Sequence, residues 1–230
     1  MKKILNYFSL FEWILLLGSI LVIVLAFIIF HNEKYYYLAA SILGVISLAF
    51  LAKGSPIGMI LTVIFSLMYA YISYQAHYYG EMVTYVGMTG LIATITLVSW
   101  IRHPSKRNKN EVEINEDLKL KEYIFLFFLS SAVTVGFYFI LRYLNTANLI
   151  TSTISIFTSF TASYLALRRC RFYAIIYVVN DIVLIVLWSL ATVEDFSYLA
   201  LVICFVTFLI YDAYSFINWT KIKKEQQKSE

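Results

Sequence analysis

Charged residues, proline and glycine are all scarce in this chain of 230 residues. Only 14% of the residues are charged and 61% are hydrophobic, whereas a soluble domain carries about 25% charged residues. So few polar side chains cannot cover the surface of a water-soluble protein, and lipid is the expected solvent for most of the chain. Two prolines and eight glycines are also too few for a fold rich in turns.

Residues that typically carry catalysis or hold metals are few and scattered. The two cysteines, Cys170 and Cys204, lie too far apart to suggest a disulfide, and we expect two buried thiols. No glycine-rich phosphate loop, no His/Cys metal spacing and no Ser–His–Asp set is found, and the histidines His31, His77 and His103 are widely separated. The net charge of +4 does not indicate nucleic-acid binding, because the positive charges flank apolar runs. The sequence predicts a protein that is not an enzyme and needs no metal or other cofactor.

Eight apolar runs are long enough to cross a membrane as helices, which takes about 17 to 25 residues. They cover 11–30, 36–53, 57–76, 82–101, 122–142, 148–167, 172–193 and 196–218. The runs lack the apolar–polar alternation of membrane strands. The first run is too long for a signal peptide and lacks a small-residue cleavage site. The sequence therefore predicts an all-α polytopic membrane protein with eight transmembrane helices, embedded in a lipid bilayer.

The distribution of basic residues predicts the orientation of these helices. Of the 18 lysines and arginines, all except Lys34 and Arg142 fall at the ends that lie on one side of the membrane. The loops of the other side contain Glu81, Glu194 and Asp195. The positive-inside rule places both termini in the cytoplasm, which suits a plasma-membrane protein. The mixed-charge segment from Arg102 to Lys121 reads as a solvated cytoplasmic linker.

The spans also indicate an internal duplication. A shift of 115 residues places Lys53 on Arg168, and four further residues of slippage bring Trp100 onto Trp219. Spans two to four then match spans six to eight, with span five between them. This predicts an N-terminal helix (1–30), a three-helix bundle (36–101), a loop and linker helix (102–147), a second bundle (148–219) and a tail (220–230). Parallel repeats of this kind suit alternating access.

Two acidic residues lie at membrane depth. Asp181 follows Asn180 in span seven, and Asp212 lies in span eight. Inserting an acidic side chain at that depth costs about 2.5 to 3.5 kcal/mol of free energy, and such a residue usually faces a cavity. Two explanations stay open: the acids form interhelical hydrogen bonds or pair with each other, or they bind a ligand, since a carboxylate accepts two hydroxyls and suits the diol of a ribose. Lys and Arg are absent from that depth, which favours the second explanation. Glu12 lies near the cytoplasmic end of span one, where its cost is small, and is not counted as a site residue.

Aromatic residues make up 18% of the chain. Most belong to interfacial belts, but a few lie deep enough to stack on a planar heterocycle or attract a cationic one. The deep candidates are Tyr69, Trp188, Tyr211 and Tyr214. Trp100 and Trp219 lie at the cytoplasmic ends, where anchoring explains them as well as ligand contact does.

Three local features carry a family resemblance. Segment 212–219 reads Asp-Ala-Tyr-Ser-Phe-Ile-Asn-Trp, close to the Asn-x-Tyr-Gly-x-x-x-Trp pattern of the PnuC family of vitamin and nucleoside transporters. Asn180 and Gln75 match polar positions of the same family, and residues 36–224 resemble it in span order. The resemblance implies a fold similar to a full-length relative of the SWEET sugar transporters. It also implies passive uptake of a nucleoside-like molecule such as nicotinamide riboside, with a cytoplasmic kinase as metabolic trap and a homo-oligomer left open.

The first half departs from that family pattern. Ala93, Ile95, Thr96 and Leu97 precede Trp100 where carriers of nicotinamide riboside have Asn, Tyr, Gly and Trp, and Phe65 stands in place of an asparagine. We therefore expect a facilitator of nicotinamide riboside or a similar nucleoside, with a deoxynucleoside carrier as the alternative. A non-transporting membrane scaffold or sensor is the alternative from another class.

Overall fold

The computed structural model describes residues 7–30, 35–115 and 118–228. These contain eight helices long and apolar enough to cross a membrane: α1 (Leu10–Ile29), α2 (Tyr35–Ala52), α3 (Pro56–Gln75), α4 (Tyr79–Arg102), α5 (Leu120–Tyr143), α6 (Leu149–Leu167), α7 (Tyr173–Ala191) and α8 (Leu199–Gln227). The prediction of eight spans is confirmed. The largest difference is at α8, which continues nine residues past the predicted end at 218, so most of the predicted tail is helical.

Some residues used in the arguments from charge and from histidine spacing lie outside the described part of the chain. They are Lys2, Lys3, His31, Lys34, Glu116 and Asp117.

Short local signals set several helix ends. At the start of α1, Ser9 and Glu12 form a capping box, in which each side chain satisfies a backbone N–H of the other residue. Ser55 caps α3 and Pro56 occupies its first turn, where the missing N–H costs nothing. The chain leaves α2 through Gly54, whose φ of 65° favours glycine.

Six of the helices form a closed ring. α2 packs against α3, α3 against α4, α4 against α6, α6 against α7, α7 against α8, and α8 returns to α2. α1 packs outside the ring against α2 and α8, and α5 packs outside against α6 and the start of α4. α1 and α5 also bury the smallest shares of their length, as expected of helices that face lipid.

The ring has two ends, which we name by their residues. The basic end holds the connections after α2, α4 and α6, with Lys53, Arg102 and Arg168, and the C-terminal part of α8. The opposite end holds the connections after α3, α5 and α7. There Asn148 Nδ2 donates to the hydroxyl of Tyr78 at 3.1 Å.

The described part of the loop between α4 and α5 is exposed at residues 106–110, as its charges predicted, but another part of it is packed against the helices. Val112 is 1% exposed and packs with the core residues at the basic end. Its N–H donates to the carbonyl of Gly54 at 2.9 Å, and the N–H of Asn115 donates to the carbonyl of Arg169 at 3.1 Å. The loop therefore docks on the ends of α2 and α6 together.

Glu81 also differs from its predicted place in an exposed loop. It lies in the first turn of α4, is 1% exposed, and accepts a hydrogen bond from Ser155 Oγ of α6 at 3.0 Å. Directly after it, α4 is widened by one π-helical segment, Tyr85–Gly90. Such π-bulges are rare and often occur at functional sites.

Candidate functional site

A cavity lies inside the ring and is lined by all six ring helices. Its volume is about 80 Å³, room for a few water molecules. A nucleoside-sized ligand therefore requires side chains of the lining to move apart. The residues that line it are Gly44, Ser47, Leu48, Leu51, Met59, Thr62, Phe65, Tyr85, Thr89, Ile92, Ala93, Thr96, Ser163, Ala166, Tyr177, Asn180, Asp181, Leu184, Phe205, Phe208 and Asp212. Neither α1 nor α5 contributes to it.

Asp181 of α7 and Asp212 of α8 meet in this cavity. Each is 3% exposed, and their carboxyl groups lie within hydrogen-bonding reach of each other. Apart from the facing carboxyl, Asp181 Oδ2 and Asp212 Oδ1 have no hydrogen-bond donor among the described residues. Because a buried oxygen without a partner costs about 1 to 3 kcal/mol, these two atoms are suited to receive donors from a ligand.

Asn180 and Tyr177 lie beside the acids on α7. Asn180 Oδ1 accepts a hydrogen bond from Thr158 of α6 at 2.8 Å, and the Tyr177 hydroxyl bonds to Ser163 at 2.9 Å. These bonds fix both side chains against α6. Among the described residues that line the cavity there is no Lys, Arg or His, so its charged groups are carboxyls only.

An aromatic cluster fills the ring between the cavity and the opposite end. Trp188 Nε1 of α7 donates a hydrogen bond to the hydroxyl of Tyr69 on α3. The Trp188 ring also lies 5.2 Å from the ring of Tyr78 and 5.4 Å from that of Tyr198. Tyr69 and Trp188, both predicted as site residues, thus link α3 and α7 above the cavity.

A tryptophan pair closes the ring between the cavity and the basic end. Trp100 Nε1 of α4 donates to the carbonyl of Ala166 on α6, and Trp219 Nε1 of α8 donates to the carbonyl of Leu51 on α2, each at 2.9 Å. Both indoles are fully buried, and their rings are 5.3 Å apart. Ala166 and Leu51 line the cavity and the two tryptophans do not, so the pair lies directly behind the lining at this end.

The α4–α5 loop covers the tryptophan pair. Gln226 of α8 donates through Nε2 to the carbonyl of Val112 and accepts through Oε1 from the N–H of Ile114, each at 3.0 Å. Arg107 of the loop pairs with Glu111 at 3.0 Å and with Glu225 of α8. The hydrogen bond to Glu111 raises the pKa of Arg107 above its usual value.

Seven of the ten predicted site residues do not line the cavity: the four aromatic residues just described, which flank it at its two ends, and three more. Gln75 is exposed at the end of α3, where its Nε2 donates to the Tyr71 hydroxyl at 2.9 Å. Tyr214 turns outward to α1, and its hydroxyl donates to Glu12 Oε1 at 2.8 Å. Tyr211 is buried at 1% exposure but does not line the cavity.

Glu12, which the sequence analysis treated as a residue of little cost, is 6% exposed. It pairs with Lys53 at 3.1 Å besides accepting from Tyr214. These contacts tie α1 to α2 and α8, which gives this acid a structural role.

The cavity also includes residues that sequence reasoning did not select. Phe65 and Phe208 pack against each other, with ring centroids 5.6 Å apart. A Cβ on Gly44 would lie 2.3 Å from the Phe208 ring, so the glycine makes room for it. Tyr85 and Thr89 enter from the π-helical segment of α4. The departure at Phe65 was visible in the sequence, but nothing there signalled the π-helix.

A ring of spanning helices around a buried acidic cavity defines a multi-pass membrane protein with a central site between its helices. Residues 34–221, which span α2 to α8, match the family model described as nicotinamide mononucleotide transporter, and the chain belongs to this family. The family consists of transporters, so the predictions of a family resemblance and of a protein without enzymatic activity are confirmed.

Two relatives support the assignment. The chain is 24% identical over 215 residues to the nicotinamide riboside transporter PnuC of Neisseria mucosa, covering 92% of this chain and 81% of the relative. It also matches the crystal structure of the vitamin B3 transporter PnuC with a TM-score of 0.83 and 24% identity, over 95% of this chain and 94% of the other. This structural likeness establishes the fold.

Proposed function

We propose that this protein is a facilitator that lets nicotinamide riboside, or a closely similar nucleoside, cross the membrane down its concentration gradient. The observation that carries the proposal is the pair Asp181 and Asp212, whose buried carboxyls line a central cavity in a chain of this family and receive, at Asp181 Oδ2 and Asp212 Oδ1, no donor from other described residues. Carboxylate oxygens accept the hydroxyls of a ribose and attract a positively charged ring. The pyridinium ring of nicotinamide riboside fits both properties.

Alternating access between two parallel halves is the mechanism that we infer. α2 packs on α8 as α6 packs on α4, which is the relation expected if α2–α4 and α6–α8 are repeats. The tryptophan bonds follow the same relation: Trp219 bonds to Leu51, and Trp100 bonds to Ala166, which is 115 residues after Leu51. Rocking of the halves would open the two ends alternately. Opening of the basic end would break the two tryptophan bonds, and opening of the opposite end would break the Tyr69–Trp188 bond.

We further propose that the basic end faces the cytoplasm of a cell whose plasma membrane holds the protein. The excess of Lys and Arg at that end supports this orientation. A cytoplasmic kinase that phosphorylates the nucleoside would keep uptake directed inward.

The charges of the cavity favour a nucleoside over the mononucleotide named in the family description. A phosphate group is bound in proteins by Arg, Lys or backbone N–H groups, and the described lining offers carboxyls instead. Two carboxyls would repel the phosphate at close range. We therefore expect nicotinamide mononucleotide to bind much more weakly than nicotinamide riboside.

A binding panel on the purified protein tests the proposal. The panel contains nicotinamide riboside, nicotinamide mononucleotide, thiamine, riboflavin, thymidine and uridine, measured by calorimetry. Tightest binding of nicotinamide riboside supports the proposal. Tightest binding of thymidine supports a deoxynucleoside carrier, which the apolar Phe65 and Phe208 in the lining favour. Failure to bind any of them contradicts nucleoside transport and points to a membrane scaffold or sensor.

A further inference from the structure

Thr89 carries a buried hydroxyl in the cavity to which no described residue is hydrogen-bonded. It lies in the π-helical segment of α4, is 8% exposed and lines the cavity. Its Oγ1 has no hydrogen-bond partner among the described residues. Because an unpaired buried hydroxyl destabilises a protein, its retention in the lining suggests a partner that comes with the ligand.

Eight other threonines in these helices have their hydroxyls hydrogen-bonded within their own helix. Their hydroxyls donate to the carbonyl four residues earlier, as seen at Thr62, Thr84, Thr94, Thr134, Thr153, Thr158, Thr161 and Thr220. For Thr89 that carbonyl belongs to Tyr85, the first residue of the π-helical segment. A π-helix pairs each carbonyl with the residue five positions later and so moves it out of register for the threonine.

Gly90 allows this local geometry. A Cβ on Gly90 would lie 3.1 Å from the carbonyl oxygen of Tyr85 and 2.9 Å from Ser66 Oγ of α3. The carbonyl that Thr89 would use is thus directed towards residue 90, and the segment packs closely on α3. The Thr89 hydroxyl is left free as a consequence of the widened helix.

Thr89 and the two acids lie on separate walls of the cavity. The backbone of α4 lies against those of α3, α5 and α6, whereas it contacts α8 through side chains at the tryptophan pair; Asp181 and Asp212 are on α7 and α8. Apart from the contact between the two carboxyls, the buried, unpartnered atoms of the lining are therefore acceptors on one wall, Asp181 Oδ2 and Asp212 Oδ1, and a hydroxyl donor on the other, Thr89 Oγ1. A ligand that satisfies both carries donors at one end and an acceptor at the other.

We infer that Thr89 is a specificity-determining residue, whose hydroxyl donates a hydrogen bond to the carbonyl oxygen on the base of the bound nucleoside while Asp181 and Asp212 accept the sugar hydroxyls. This inference rests on the proposed function. For nicotinamide riboside, the acceptor is the carboxamide oxygen. The pyrimidine carbonyls of a nucleoside supply the same chemistry.

The test compares two ligands and three variants by calorimetry on the purified full chain. The ligands are nicotinamide riboside and the ribosylpyridinium that lacks its carboxamide. Thr89→Val removes the hydroxyl at nearly constant shape, Thr89→Ser keeps it, and Thr94→Val is the control, because Thr94 lies on the same helix but is exposed and bonded to Gly90. Affinity of Thr89→Val for nicotinamide riboside should fall about five- to tenfold. Its affinity for the ribosylpyridinium should be unchanged, and Thr89→Ser should bind both as the parent does.

The thermal midpoint of Thr89→Val should be equal to or above that of the parent, because the substitution removes an unsatisfied buried group. Equal loss of affinity for both ligands, no loss for either, or a lower thermal midpoint would overturn the assignment of Thr89 and leave the proposed function standing. If the parent binds neither ligand, the proposed function and this inference are both wrong.

Discussion

At the scale of single residues, the cavity depends on polar groups that a membrane helix rarely carries. Asn180, Asp181 and Asp212 were predictable, because the cost of a polar group at membrane depth makes each conspicuous in an apolar run. The structure brings all three into one cavity. Two roles are open to the acids: structural pairing with each other, and the ligand binding that we propose.

Substituting the acids separates the two roles. Asp181→Asn and Asp212→Asn should express and fold as the parent does, because the amide has the same shape and is less costly to insert. Affinity for nicotinamide riboside should fall about tenfold or more, as expected when a charge-assisted hydrogen bond of about 1.5 to 3 kcal/mol is weakened. A neutral nucleoside should lose less, because it has no positive charge for the acids to attract. Titration calorimetry with both ligands measures the difference.

The control for these substitutions is Glu194→Gln, which changes an exposed acid in the connection after α7. It should leave both affinities unchanged. If the aspartate variants bind every ligand as tightly as the parent but unfold at lower temperature, the acids are structural and the site assignment is wrong.

The contacts of other residues could not be predicted from the sequence. Tyr214 shares a motif with Asp212, yet it bonds to Glu12 of α1 and not to the cavity, since residues two apart point to different faces of a helix. Thr89 gave no signal, because a π-helical segment depends on tertiary packing and leaves no fixed pattern in the sequence.

At the scale of elements, the length of the apolar runs was enough to locate the helices. Runs of about twenty apolar residues have few alternatives in lipid, where each backbone group must be satisfied within its own helix. The docking of the α4–α5 loop was not predicted, because charged residues far outnumber the apolar Val112 and Ile114 in that segment. These two apolar residues in a charged segment were the available sign that the loop docks on the bundle.

The docked loop yields a prediction about the basic end. Gln226→Ala removes both bonds to the loop and leaves the N–H of Ile114 without its partner, so the free energy of unfolding should fall by about 1 to 3 kcal/mol. The loop should also open more often. Cys170, which is 3% exposed beside the loop's docking site, should then react faster with a maleimide, while Cys204 in α8 should stay protected.

The neighbouring residue provides the control for this experiment. Gln227→Ala alters the same turn of α8 at an exposed position. It should change the rate of maleimide labelling at neither Cys170 nor Cys204. Mass spectrometry of the two cysteine peptides gives both rates in one sample. Unchanged labelling of Cys170 in Gln226→Ala would show that the loop does not cover this end.

At the scale of the whole molecule, the order of the helices and the charges at their ends lead to one orientation. Single cysteines at Asn110 and Glu225 should be labelled by an impermeant reagent only from the cytoplasmic side, and one at Tyr79 only from outside. Intact cells and inverted vesicles supply the two sides. Labelling of Tyr79 and Asn110 from the same side would contradict the orientation and the eight-span order together.

The central claim is that this cavity carries nicotinamide riboside across the membrane and that Asp181 and Asp212 bind it there. Uptake of radiolabelled nicotinamide riboside into proteoliposomes tests it most directly, with the parent, Glu194→Gln and the folded Asp212→Asn variant reconstituted at equal density. The parent and Glu194→Gln should bring the internal concentration to the external one, and Asp212→Asn should do so several-fold more slowly at low substrate concentration. Uptake no faster than in protein-free liposomes, or equal rates for parent and Asp212→Asn, would contradict the account.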